Sequence, residues 1–297
     1  MQNNYSTSRL HLNQLTLSDT EFILKLVNTT EWIKFIGNRN IESKEEATSY
    51  IQKLIDNPVI NYWVVKMRNQ QVSIGVVTLI KRDYLNHPDI GFAFLAEYTK
   101  QGYAYEAAAA VFCDIIKDPA HTHILAVTVK ENTSSIQLVQ KFGLQFSHEI
   151  EIENVMLLVY SVSTEKLLID DLTKIFFSIF TNSNNRQPGW NIIHPLCIPQ
   201  ISIIKKSGTT ETVYKLDTFM EPRKKILSDG TLTEFEEMEI HEETKIAGNI
   251  AQRFSKCKKS GYLNGIYFQE YGYKLFQFIK TNNGWKNASV IWEDANL

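Results

Sequence analysis

Near residue 163 the hydrophobic periodicity of this chain changes, and one repeating architecture does not accommodate both sides of the change. Before that point, strand-like and helix-like stretches alternate. RLHLNQL (9–15) reads as a strand, and Thr16 or Ser18 can cap a helix carrying Phe22, Ile23, Leu26 and Val27. Ser43 with Glu46 forms the sequence of a capping box for a second helix through Ile51 and Leu54. NYWVVKM and QVSIGVVTLI are two strands separated by Arg68-Asn69-Gln70, a short hairpin. DIGFAFL (89–95), ILAVTV (124–129), LQFSHEIEI and VMLLVYSV add further strands, with helices after 102 and over 131–143. Mixed strands interleaved with helices predict an α/β sandwich around a partly parallel, mixed sheet.

After residue 163 the order is different. One long amphipathic helix, STEKLLIDDLTKIFFSIFTN, precedes the loop SNNRQPGW (183–190) and then mostly strands: ISIIKK, ETVYKLDTF, FEEMEIHEE, GYLNGIYFQEY, YKLFQFIKT and ASVIWED. Asp229-Gly230 and Gly284-Trp285 mark turns. This is a helix-first α+β unit with an antiparallel sheet, and it sets a domain boundary at about 160–166. A chain of 297 residues is comfortable as two domains.

With 43% apolar and 22% charged residues, both halves can bury a core, and a net charge of −2 gives no global field that would attract nucleic acid or an acidic membrane. No apolar run approaches the ~18 residues that span a bilayer, and MQNNYSTSRLHL lacks a basic-then-apolar targeting pattern. Cys113, Cys197 and Cys257 are far apart, and none sits in a C-x-x-C pair, which argues against a disulfide framework or a zinc site. The expectation is a cytoplasmic protein with reduced thiols, no bound metal, no nucleic acid and no membrane.

The chemistry concentrates in TKQGYAYEAAAAVFCDII, residues 99–116. From Ala104 onward it is a strong helix, yet Lys100-Gln101-Gly102-Tyr103 supplies no Ser, Asp or Asn to cap the first free backbone N–H groups. Gly102 lets a ligand approach the backbone closely, and the amides from Gln101 to Tyr105 would present the positive end of the helix dipole to an anion such as pyrophosphate. The plainer reading is a glycine required by turn geometry. About thirty residues on, ILAVTV runs into E-N-T-S-S, where Asn132 is either a helix cap or a ligand contact and Ser135 lies one turn later. Phe142-Gly143-Leu144 is a helix stop leading into a strand. His121 and His123 flank Thr122 just before a strand, with no acidic or cysteine partner evident, which reads as an exposed turn rather than a metal site.

In order and spacing, residues 8 to 162 resemble the GCN5-related N-acetyltransferases (GNAT), and within them the branch that acetylates ribosomal-protein N-termini. S-R-L-H-L-N-Q-L-T-L-S-D resembles the first strand and helix start of that branch, and D-I-G-F-A-F-L-A-E-Y-T-K-Q-G-Y-A-Y-E-A its signature strand–loop–helix. E-N-T-S-S-I-Q-L-V-Q-K-F-G-L resembles its later E-N-x-x-S…K-x-G-F element. Lys100 replaces a frequent glycine and Thr99 a frequent Gln or Arg, and neither change removes a backbone donor. The resemblance implies acetyl-CoA as acetyl donor, with its pyrophosphate on the backbone of Lys100, Gln101, Gly102, Tyr103, Ala104 and Tyr105. It implies a pantetheine arm paired with the backbone of Phe92 and Phe94 and hydrogen-bonded by Asn132. It also implies direct acetyl transfer to a primary amine, either a protein N-terminus or a small molecule. Asp89 stands where a catalytic carboxylate is frequent, and Ser135 where a hydroxyl relays a proton to the leaving thiolate. Read from the residues alone, Asp89 after Pro88 is equally a solvated strand end, and Tyr103 and Tyr105 are packing residues or acceptor-site wall.

Residues 166–297 resemble the NTF2-like (SnoaL-like) cone fold, on the helix-then-strands pattern and on G-W-K-N-A-S-V-I-W-E-D. Such cones enclose pockets or form dimers. Trp190, His194, Arg223, Trp285 and Trp292 are then lining candidates, with core packing and a surface ion pair as the plainer readings. The expectation is an acetyl-CoA-dependent N-acetyltransferase carrying a second, accessory domain, with a possible homodimer through that domain. The alternative is a ligand-binding or dimerising protein whose first half only senses coenzyme A.

Overall fold

Eight strands make the first sheet in the computed structural model, which describes residues 2–295. They are β1 (Asn4–Ser6), β2 (Leu10–Gln14), β3 (Ile60–Met67), β4 (Ser73–Ile80), β5 (Asp89–Phe94), β6 (His123–Thr128), β7 (Gln145–Ile152) and β8 (Val155–Ser163). Their order is β1-β2-β3-β4-β5-β6-β8-β7, and every neighbouring pair is antiparallel except β5–β6. The sheet is therefore mixed, as the sequence predicts. The short β1 is an addition, too brief to carry a periodic signal.

Five helices accompany this sheet: α1 (Thr20–Val27), α2 (Thr30–Phe35), α3 (Lys44–Ile55), α4 (Tyr103–Ile115) and α5 (Thr133–Lys141). The Ser43 capping box forms, with the Ser43 hydroxyl accepting from the Glu46 amide at 3.2 Å. On one side of the sheet Ile23, Leu26 and Val27 of α1 and Ala47 and Ile51 of α3 pack with Val64, Val76 and Leu95. In α4, Ala107, Ala108, Val111, Phe112 and Ile115 are buried. The run of alanines lets this helix lie close to the strands, and each large apolar side chain buried there contributes roughly 1.5–3 kcal/mol.

Contacts divide the chain between Thr164 and Glu165. The second unit contains most of α6 (Thr164–Ser178), α7 (Ile193–Leu196), β9 (Cys197–Ser207), β10 (Thr210–Tyr214), α8 (Leu216–Ser228), β11 (Leu232–Ala247), β12 (Ile250–Leu263), β13 (Ile266–Thr281) and β14 (Gly284–Ala295). The strand order is β10-β9-β14-β13-β12-β11, with β14–β9 parallel and the other pairs antiparallel. Register shifts interrupt β11 and the β13–β14 pair, bending the strands as bulges do. Phe176, Phe177, Phe276, Phe278, Trp285 and Trp292 are at the heart of the core.

Three sequence expectations for this unit need correction. ETVYKLDTF is not one strand: it ends as β10 at Tyr214 and turns into α8, where Leu216, Phe219, Met220 and Leu227 keep a helical period despite Pro222 inside. GYLNGIYFQEY contains a two-residue turn at Asn264-Gly265, both at positive φ, which separates β12 from β13. The parallel β14–β9 pair makes the sheet mixed rather than wholly antiparallel.

Candidate active site

The first structural feature of the site is a gap in the sheet. β5 and β6 are in register only at Asp89↔Leu125, with the Leu125 N–H donating to the Pro88 carbonyl at 2.9 Å. Beyond that pair the two strands part. On its other edge β5 stays zipped to β4 from Gly75↔Phe94 to Ile80↔Asp89, and the Leu95 N–H donates to the Ile74 carbonyl at 2.9 Å. Because donors alternate between the two edges of a strand, the backbone groups of Phe92 and Phe94 face the gap. Gly75 is required here: a Cβ at that position would sit 2.4 Å from Phe94 Cδ1.

The second feature is the start of α4. The chain leaves β5 through a short 3-10 turn at Ala96–Tyr98, then reaches left-handed conformations at Lys100 (φ 59°) and Gly102 (φ 81°). Gly102 is the N-cap and no side chain caps the helix. The intrahelical ladder begins with the Glu106 N–H donating to the Gly102 carbonyl at 3.0 Å, so the amides of Gly102, Tyr103, Ala104 and Tyr105 precede it. Four amides at one helix end, beside a strand edge with unused groups, suit an extended ligand with an anionic centre.

Arg9 and Glu106 hold this turn, and neither was singled out from the sequence. Glu106 Oε2 accepts from Arg9 Nε at 2.6 Å, and Oε1 accepts from the Arg9 amide at 3.0 Å and the Thr7 hydroxyl at 2.5 Å. Arg9 Nη1 donates to the Gln101 carbonyl at 3.1 Å, and its guanidinium lies 4.4 Å from the centre of the Tyr103 ring. Burial alone would raise the Glu106 carboxyl, but its hydrogen bonds to Thr7 and Arg9 outweigh that and hold it below its ordinary value. The residues stand 97 positions apart, a separation that conceals the pairing in sequence.

The third feature follows β6. Asn132 is the N-cap of α5, its Oδ1 accepting from the Ser135 N–H at 3.2 Å. The Asn132 side-chain oxygen is thereby engaged as the helix cap, the plainer of the two sequence readings, and its NH₂ takes no part in that bond. The Tyr105 ring stacks on Phe142 at 5.0 Å and 5°, and Phe112 packs on the same ring at 5.1 Å, which ties the first turns of α4 to the end of α5. Gly143 at φ 84° provides the expected helix stop.

Asp89 lies where the strands begin to part. It is 2% exposed and is paired with Arg82, Nε to Oδ1 at 2.7 Å and Nη2 to Oδ2 at 3.3 Å. Burial pushes its carboxyl above the ordinary value, while the Arg82 charge and hydrogen bonds pull the other way. This is a buried ion-paired carboxylate rather than a solvated strand end. Of the two histidines flanking Thr122, His121 lies 4.0 Å from the Asp118 carboxylate, an acidic neighbour the sequence reading missed, and His123, the first residue of β6, packs its ring at a tilt against His87 at 4.9 Å.

Residues 9–145 match the family model described as an acetyltransferase (GNAT) domain. The N-acetyltransferase YoaA of Bacillus subtilis (strain 168) is 28% identical over 145 residues, which is 47% of this chain and 81% of that protein. Among solved structures, spermidine N-acetyltransferase from Vibrio cholerae, in complex with CoA and spermine, aligns at 20% identity and TM-score 0.48, covering 55% of this chain and 99% of that one. Ribosomal-protein-S5-alanine acetyltransferase from Vibrio fischeri aligns at 17% identity and TM-score 0.48, covering 54% and 96%. The parted strands and the uncapped helix thus belong to a GNAT acetyltransferase domain in the N-terminal half of the chain, and the protein is an N-acetyltransferase enzyme whose acetyl donor is acetyl-CoA.

Proposed function

We propose that this domain, over residues 8–162, transfers acetyl directly to a primary amine, either a protein N-terminus or a small-molecule amine. The observation that carries the reading is the parting of β5 and β6 after Asp89↔Leu125, beside the four leading amides of α4. The donor, when bound, supplies an acetyl group activated as a thioester. The backbone of Phe92 and Phe94 would pair with its extended arm, and the amides of Gln101, Gly102, Tyr103, Ala104 and Tyr105 would take its pyrophosphate, with Lys100 adding charge. The Asn132 NH₂ would hold the arm from the opposite side.

Aminolysis of a thioester needs a neutral amine, a polarised carbonyl and a proton for the departing sulfur. A backbone N–H on β5 facing the gap serves the second need. Ser135 would relay a proton to the thiolate through water, since a hydroxyl is too weak an acid to supply one itself. Asp89 is the proposed proton acceptor, by way of water, because burial has moved its carboxyl toward the range useful for a base. The test is release of coenzyme A thiol from acetyl-CoA across a panel of N-terminal peptides, polyamines and amino sugars. An acetylated amine product with intersecting initial-rate patterns is expected. Tight coenzyme A binding with no amine ever acetylated would instead favour the sensing role.

The second unit, residues 166–297, reads as an NTF2-like cone. Supporting this are a leading helix, a second helix inserted before the long strands, and the order β10-β9-β14-β13-β12-β11 closed by a parallel β14–β9 pair. Phe254↔Leu275↔Ile291↔Ile204 line up in register across four strands. Inward residues alternate with these positions, so the row faces away from the core. Self-association through that face is the proposed use, and light scattering of the full chain and of Leu275→Lys tests it.

A further inference from the structure

A cavity of about 330 Å³ lies in the second unit between α6, α8 and the sheet. The rings of Phe176, Phe180, Phe219, Phe235 and Trp292 border it, and its volume is within the range of small-molecule sites. Pro222 and Asp294, also on its border, are exposed, so the cavity opens to solvent.

Five charged side chains face it: Arg223, Lys259 and Lys274 against Glu237 and Asp294. Lys274 and Glu237 pair at 2.8 Å, each with only 11% of its side chain exposed. Lys259 pairs with Asp294 at 2.7 Å and with Glu270 at 3.0 Å, while Lys205 reaches Asp294 at 3.1 Å. Glu270 and Lys205 lie outside the lining and offset one another. One cation is left over. Among the described residues Arg223 has no carboxylate within ion-pair distance, and its only hydrogen bond is from Nη1 to the Phe219 carbonyl of its own helix at 2.8 Å.

The guanidinium is not simply turned out to water. Its centre lies 3.6 Å from the centre of the Phe219 ring, 5.6 Å from that of Trp292 and 5.9 Å from that of Tyr214. Ring faces stabilise a cation but cannot accept its remaining in-plane N–H groups. Leaving such donors without an acceptor in a half-buried site carries a cost, which a planar bidentate anion would relieve. Burial lowers Arg223 from its ordinary value, and the nearby Tyr214, Glu237 and Asp294 pull it back up without making up the difference.

We propose that this cavity binds a small organic monoanion: a carboxylate seated on Arg223, with a flat aromatic body against the Phe and Trp rings. A monoanion matches the single surplus charge. A dianion would compete with Glu237 and Asp294, and an aliphatic body would forgo the ring stacking. This goes beyond the acetyl transfer assigned to the other unit and does not depend on it.

The experiment is calorimetric titration of the full chain with phenylacetate, 3-phenylpropionate and indole-3-acetate, each beside its neutral amide. Saturable binding of at least one carboxylate is expected, with its amide at least tenfold weaker. Arg223→Met, which keeps the packing stem, should lose at least tenfold in affinity for that carboxylate, whereas Arg223→Lys should keep the preference for carboxylate over amide. Retention of the wild-type near-UV circular dichroism spectrum and of the cooperative unfolding transition of the second unit reports whether each variant is folded. No saturable binding by any of the three carboxylates, equal binding of acid and amide by the wild type, or unchanged binding by a folded Arg223→Met would each overturn the proposal.

Discussion

Arg82 grips Asp89 with two nitrogens, Nε at 2.7 Å and Nη2 at 3.3 Å, at the point where β5 loses its pairing with β6. The pair decides what the carboxylate can do. Burial without Arg82 would favour the protonated carboxyl further, and a solvent-exposed Asp would be too weak a base. Burial raises the Asp89 carboxyl and Arg82 restrains the rise. The Asp89 carboxyl is therefore more basic than a free aspartate, with Arg82 holding it back from rising further.

The sign of the pH effect follows. Activity that needs ionised Asp89 should fall as pH drops through its raised value. Arg82→Gln removes the restraint, so the acidic limb of kcat against pH should move upward. A limb that stays in place would show that Asp89 does not report in that profile.

Glu106 offers an independent test of the α4 turn. Its folded carboxyl value is below ordinary, so the stability it confers is fully present above the unfolded value near ~4.3 and is lost as pH falls through the lower, folded value. Glu106→Gln should cost on the order of 1 kcal/mol at pH 7 by urea unfolding, with the gap from wild type narrowing below about pH 4. Because Arg9 then loses its anchor beside Gln101, coenzyme A affinity should also fall several-fold. A gap that is constant with pH would make the interaction something other than charge.

Separability is the third expectation. The core around Ile23, Leu26, Val64 and Val76 lies wholly within the first unit, and the Thr164 hydroxyl donates to the His121 carbonyl at 2.7 Å. A chain ending just after Thr164 should fold cooperatively and bind coenzyme A as the full chain does. An insoluble or non-binding product would place the boundary elsewhere.

Much of the first unit was legible because its signals are local. The Ser43 capping box, the 68–70 hairpin and the Gly143 helix stop each use residues within a few positions of one another. So does the uncapped start of α4. The pairs that fix the site were not legible in the same way: Arg9 with Glu106 is a long-range contact, and the mate of Asp89 was passed over although Arg82 stands only seven residues before it. In the second unit the apolar residues Tyr214, Leu216 and Phe219 have a spacing that suits strand and helix alike, and only the recurrence at Met220 and Leu227 resolves it as α8. The parallel pairing of β14 with β9 joins the two ends of the unit, and a periodicity argument does not reach that far.

The base role of Asp89 depends on which amine is the acceptor. An α-amine with a pKa near ~8 is about a tenth neutral at pH 7, whereas an ε-amine near ~10.4 must lose its proton at a cost of roughly 4.6 kcal/mol, ~3.4 units at 1.36 kcal/mol each. Asp89→Asn should therefore lower kcat well over tenfold on an ε-amine or polyamine. On a peptide N-terminus the loss should be under tenfold and should shrink as pH rises toward 9. Kinetics of wild type and variant across that range make the comparison, and activity equal at every pH would leave Asp89 a structural partner of Arg82.

Gly102 is the sharpest test of the donor site. Its φ of 81° costs a residue with a Cβ roughly 1–2 kcal/mol, and more when that carbon is branched. Space alone is not the obstacle, since a Cβ there would meet only Arg9 Nη2, at 3.4 Å. Gly102→Val should therefore act by two routes: twisting the turn away from the left-handed region, and placing methyl groups where the amides of Gly102 and Tyr103 must face a pyrophosphate. Together these should weaken coenzyme A binding at least tenfold in a calorimetric titration. Gly102→Ala, strained but unbranched, should fall between wild type and Val. Dephospho-coenzyme A keeps the pyrophosphate and should lose as much as coenzyme A does, whereas pantetheine lacks it and should bind wild type and variant alike. An unchanged coenzyme A affinity in a folded Gly102→Val protein would move the pyrophosphate site away from α4.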